Sequence, residues 1–180
     1  MGEEAHRHTV TMRLLLPKRW LTCVLLAAPI PTPIGFGPRY QLASGPPDAG
    51  ARLACSRADT TKQAEQAHVE LFANKRVLLL PKGIGNGDGC TYAVLTREPT
   101  GVVDFVPAAK PTVGDLFDVW GQPLSTRGFA GFSGAVSAWI GGRRWRGDVR
   151  AIPLRRHAEI VLEVGGYIPP HTFFLFPQRN

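Results

Sequence analysis

One stretch limits what this chain can fold into: Pro111-Thr112-Val113-Gly114-Asp115-Leu116-Phe117-Asp118-Val119-Trp120-Gly121. Every local signal in it asks for the same short helix. Thr112 is an N-cap residue, with Asp115 three positions on in the capping-box place more often held by Glu or Gln. Val113, Leu116, Phe117 and Trp120 recur at i, i+3, i+4 and i+7, one face of a helix. Gly121 stands where a left-handed residue ends a helix, and Pro123 prevents a restart. Between His68 and Phe176 nearly everything else has the pattern of strand and turn. With 20 Gly and 16 Pro in 180 residues, turns and short strands are favoured over long helices. One helix with an aromatic face among strands predicts the plug of a small α+β core.

Residues 1–37 have the pattern of an export signal or an N-terminal membrane anchor. Arg13, Lys18 and Arg19 precede the apolar run 21–28, and Met12 is a second candidate start. Pro29, Pro31 and Pro33 interrupt the run well short of the roughly 20 apolar residues of a membrane span. Residues 38–66 are Pro/Gly-rich and aperiodic, a linker or loosely attached arm, and residues 67–180 are expected to form a single α+β domain. If Cys23 leaves with the signal, Cys55 and Cys90 remain. An exported chain with two cysteines most often pairs them, which would staple the arm to the domain; two free thiols are the alternative. Of the net charge of +7, residues before Gly45 hold five cations against two acids, leaving +4 on the rest. That excess is too mild to indicate a nucleic-acid protein.

Within the domain, residues 68–73 and 76–80 form a hairpin about Asn74-Lys75. Residues 81–89 are a glycine-rich loop. Gly83-x-Gly85-x-Gly87 has neither a following helix nor a Lys-Ser/Thr, so the phosphate-binding readings fail. Residues 91–96 and 101–106 are the next strand pair. Residues 135–140 and 143–146, joined by Gly141-Gly142, are the clearest hairpin. Residues 160–164 are a last strong strand, and the apolar tail 172–176 is expected to be packed. Hairpin, helix, hairpin and closing strand give the order of a β-grasp-like fold with an extra hairpin before the helix. A β-sandwich with an incidental helix is the alternative. Neither carries a function.

Residues 68–177 resemble a family of exported bacterial proteins, mostly actinobacterial, for which no activity is established. Its members carry H-x-H-x-H-L-x-[LV]-F-V-N-G, a Cys five residues before H-T-H-D-x-x-G, then T-L-x-x-F-F-x-x-W-G. They close with G-D-P-R-x-I-P-L-x-x-H-A-x-I-V-L-E-V-G. The stretch from Thr112 to Gly121 matches the third of these; Gly147 to Leu154, with His157 to Gly165, matches the closing signature. The resemblance implies a histidine-rich strand, of which this chain keeps His68, with Ala64 and Gln66 in the other two places. H-T-H-D falls on Leu95-Thr96-Arg97-Glu98, and a further family histidine falls on Asp104. Imidazoles and a carboxylate on adjoining strands would suit a transition metal. With most of that set replaced, this chain is expected to bind neither metal nor cofactor, and His68, Glu98, Asp104 and His157 are the remaining alternative ligands.

Arg144, Arg146, Arg150 and Arg155, with Trp139 and Trp145 nearby, form a candidate anion-binding face. Export argues against nucleic acid and for cell-wall polymers or lipid headgroups as partners, with membrane contact only through the N-terminal segment. The competing reading is a solvated hairpin whose arginine stems cover aromatic surface. His157 beside Glu159 or Asp148 invites a catalytic role. Without a serine elbow or acid–base carboxylate pair, it is expected to be a turn histidine and the chain not an enzyme. The leading expectation is a non-catalytic extracytoplasmic binding module; the alternative is a metal-binding or redox protein with a degraded histidine-rich site.

Overall fold

Two hairpins with the same kind of turn frame the sheet. The computed structural model describes residues 40–58 and 63–177; the expected export segment lies outside them. β1 is Tyr40–Gln41, β2 Glu65–Ala73 and β3 Arg76–Leu79. Asn74 and Lys75, joining β2 to β3, have φ of 50° and 64°, as a two-residue turn matching the strand twist requires. Short β4 (Asn86–Gly87) and β5 (Cys90–Thr91) pair within the glycine-rich loop, and β6 (Val94–Leu95) pairs with β7 (Val102–Phe105). Helix α1 spans Val113–Trp120. Then come β8 (Leu124–Ser125), β9 (Gly128–Phe129), β10 (Phe132–Ser133), β11 (Val136–Ile140), β12 (Arg143–Trp145) and β13 (Glu159–Val164). Gly141 and Gly142 turn β11 into β12 with φ of 54° and 75°.

The main sheet runs β1-β3-β2-β13-β11-β12, with β7 also on β2. β2 and β13 are parallel at its centre, and the two hairpins flank them antiparallel. With α1 between the hairpins, this is the β-grasp order expected from the sequence. The sandwich alternative fails, because α1 shares one core with β2 and β13. Thr112 accepts from the Asp115 N–H and Asp115 accepts from the Thr112 N–H, so the capping box forms as expected. Phe117 and Trp120 are buried, with Phe129 edge-on to Phe117. Phe129 comes from the small β8–β10 sheet, for which the sequence carries no clear strand signal.

Residues 40–58, expected as a linker or loose arm, are docked. The C-terminal carbonyls of a helix have no partners within it. Here the Gly45 and Asp48 N–H groups donate to the carbonyls of Trp120 and Asp118, while the Trp120 indole donates to the Ala43 carbonyl at 3.2 Å. Arg52 binds both oxygens of Asp115, at 3.1 and 2.6 Å. Burial alone would push the Asp115 carboxyl up, but Arg52 and Thr112 outweigh it and hold it below its ordinary range. Leu53 joins the core, and the Cys55–Cys90 disulfide forms. Gly87 beside it leaves room for both sulfurs, since a Cβ there would meet them at 2.9 and 3.0 Å. β2 opens at Glu65, inside the segment expected to be linker.

Candidate functional site

Alternation along the two central strands sorts their side chains. Ala67, Val69, Leu71 and Ala73 of β2, with Ile160, Leu162 and Val164 of β13, enter the core shared with the helix. His68, Glu70 and Phe72, with Glu159, Val161 and Glu163, take the opposite face. The parallel register sets Glu159 opposite His68, Val161 opposite Glu70 and Glu163 opposite Phe72. All six residues of β13 are buried, because the C-terminal tail lies over this second face. Ile168 N–H donates to Glu163 Oε1 at 3.2 Å, and Tyr167 meets Trp139 at 6.0 Å. Phe174 stacks on His68 at 3.7 Å and Phe176 on His157 at 4.6 Å. The expectation of a packed tail holds for alternate residues only: Phe173 and Leu175 are 70% and 82% exposed.

His68 is the centre of this face. Its Nε2 lies 2.9 Å from the Thr100 carbonyl and its Nδ1 2.8 Å from Glu159 Oε2. A carbonyl only accepts, so Nε2–H donates. Nδ1 faces an acceptor too, so a proton closes that bond. Gly101 lets the loop approach, since a Cβ there would lie 2.8 Å from His68 Nε2 and from the Val69 carbonyl, and its φ is +82°. Glu159 is 2% exposed, and its Oε1 has no hydrogen-bond partner. Half-buried Glu70 accepts from His171 Nδ1, at 2.9 and 2.8 Å. Burial pushes the Glu163 carboxyl up, and the Ile168 N–H only partly offsets it.

The four alternative metal ligands do not gather. Asp104 faces Gln66 across β2–β7 and is held by Gln66 Nε2 at 2.9 Å and Arg97 Nε at 2.6 Å. Glu98 is exposed on its turn. His157, also exposed, sits on a turn residue of φ +57°. Only His68 has other ligand-type groups around it. Among the described residues, the one such cluster is His68, Glu70 and Glu159, with donor atoms all within 4.8 Å of one another. Sequence reasoning missed Glu70 and Glu159 as ligands. Glu70 is marked locally, two residues after His68 and so on the same face of a strand, but Glu159 is not: only the register between β2 and β13 brings it to His68.

The anion-binding face also changes composition. Arg144 on edge strand β12 places its Cζ 5.8 Å over the Trp139 ring and donates to Ser137 Oγ at 3.2 Å. Arg143 and Arg146 are exposed beside it. Trp145 points to the other side and packs against the core. Arg150 does not belong to this face. The turn at Val149–Ala151 aims it at helix α1, where it binds both Asp118 oxygens at 2.8 and 2.7 Å and the Leu124 carbonyl at 3.3 Å. Arg155 lines a separate cavity of ≈ 380 Å³ with Arg156 and Lys110. No family model matches this chain, and neither curated proteins nor solved structures give a significant match.

Proposed function

We propose that this chain is a non-catalytic extracytoplasmic binding domain whose β12 edge engages anionic groups of the cell envelope. The observation that carries this reading is how the fold sorts its charges. Asp104, Asp115 and Asp118 are each taken up by an arginine, and Glu159 and Glu163 are buried. Arg143 and Arg144 on the last strand of the sheet, with Arg146 just past its end, stand in solvent and make no ion pair among the described residues. Exposed acids remain, among them Asp88, Glu98 and Asp148, but none forms an ion pair with these three arginines, so the β12 edge itself presents positive charge. Arg144, held against Trp139 and Ser137, presents its guanidinium with less side-chain freedom to lose on binding. The disulfide is compatible with a location outside the cytoplasm.

The test is cosedimentation of wild type and an Arg144→Glu/Arg146→Glu variant with envelope fragments, with anionic vesicles and with neutral vesicles. Charge reversal is expected to weaken recovery by envelope fragments, with a loss that shrinks as salt rises. Matching loss on anionic vesicles assigns the partner to lipid headgroups; loss on envelope fragments alone assigns it to the polymer. Equal recovery of both proteins at low and moderate salt overturns the reading.

A further inference from the structure

We infer that His68, Glu159 and Glu70 form a binding site for a divalent transition ion of the zinc class, independent of the arginine edge. Four observations converge on it. The donor atoms of the three side chains already lie within 4.8 Å of one another. A tetrahedral zinc with bonds of 2.0–2.2 Å separates its donors by roughly 3.3 Å, so only small movements are needed. His68 already has the outer contact usual for a metal-ligating imidazole: its Nε2–H donates to the Thr100 carbonyl. That leaves Nδ1 as the ligating atom, aimed at Glu159.

The third observation is the unpartnered Glu159 Oε1 in a residue 2% exposed. A proton between Nδ1 and Oε2 satisfies one oxygen and leaves the other without a partner, whereas buried polar atoms ordinarily have one. A cation beside the carboxylate supplies what Oε1 lacks. The fourth is charge. One neutral imidazole and two carboxylates balance a divalent ion, so the filled site is neutral beneath the tail. His171 is the positioning residue: it binds Glu70 at 2.8 Å and orients that carboxylate. A cavity of ≈ 590 Å³ bordered by His68, Glu70, Thr100, Gly101, His171 and Phe174 gives the ion a way in.

The full chain, without a histidine tag and stripped by chelator, is titrated with Zn²⁺ alone by calorimetry, with elemental analysis after dialysis. One zinc per chain is expected, and cobalt(II) loaded in its place is expected to show the visible absorption of a low-coordinate N/O site. Glu159→Gln and Glu70→Gln are each expected to abolish the stoichiometric zinc. His171→Ala is expected to weaken it by about 10–100-fold, the usual effect of losing an outer partner. Circular dichroism checks that each variant is folded. Glu70 is half-buried, so Glu70→Gln decides the matter if Glu159→Gln unfolds. Absence of stoichiometric zinc in the wild type overturns the site, as does zinc held equally by wild type and Glu70→Gln.

Discussion

Replacing Trp120 by alanine is expected to cost this domain about 4–5 kcal/mol, and replacing Trp145 far less. Trp120 is 1% exposed, sits 5.3 Å from Phe117 by ring centroid, and donates to the Ala43 carbonyl. Removing a buried tryptophan costs about 3–5 kcal/mol, since transfer free energy is lost and a cavity remains. The indole hydrogen bond is lost as well, although Gln122 Nε2 still donates to the Ala43 carbonyl at 3.3 Å, so the upper part of that range applies. A helix of two turns does not persist alone, so its stability comes from this packing. Trp145 packs one side on the core, and its indole bonds the Asp148 carbonyl at an exposed position. Its loss is expected to be about 1–2 kcal/mol, in proportion to the smaller apolar area it hides. Urea unfolding followed by far-ultraviolet circular dichroism, with the disulfide oxidised, measures both. With a slope of about 2 kcal/mol per molar urea, the Trp120→Ala midpoint falls by roughly 2 M and that of Trp145→Ala by under 1 M. Equal losses, or a larger one at Trp145, would mean that the core is centred on the second hairpin and not on the helix.

Two further perturbations test the arm and the buried carboxylates. The double variant Cys55→Ser/Cys90→Ser is expected to lose roughly 3–4 kcal/mol by urea unfolding, the chain-entropy value for a loop of this size; an unchanged midpoint would show that the bonds to the helix end hold the arm without the disulfide. Glu163 has a folded-state pKa above its ordinary value of 4.5, so its favourable contribution is full below that value and is lost as pH rises through the raised one. Glu163→Gln is therefore expected to flatten the decline in stability from about pH 4.5 upward; midpoints that fall as steeply as in wild type would refute this.

Much of the architecture was legible because its causes are local. Thr112, Asp115 and Gly121 fix both ends of the helix within eleven residues, and Asn74-Lys75 and Gly141-Gly142 fix two turns by backbone geometry. The cysteines allowed few pairings. The candidate site was only half legible: His68 and Glu70 share a strand face by alternation, but the third member has a distant cause. Glu159 meets His68 across 91 positions of sequence, through a strand register that nothing near either residue announces. Arg150 looked like part of a basic cluster, since sequence counts its charge but not Asp118 waiting on the helix. The docking of residues 40–58 is hidden from the sequence for a similar reason. Its main acceptors are backbone carbonyls at the helix end, and every helix has those whatever its sequence.

The parallel pairing of β2 with β13 has a consequence for how the molecule is made. A chain emerging N-terminus first presents β2, and can close it against β3 and β7, long before β13 exists. Until then one side of the longest strand carries unpaired N–H and C=O groups beside apolar side chains, the kind of edge that recruits other strands. Loop closure over so many residues also makes this pairing a late and slow event. The last strand made is thus the middle of the sheet and not its margin. A chain cut short before Glu159 would lose the partner of both hairpins at once, and would be left with the edge from which aggregation starts.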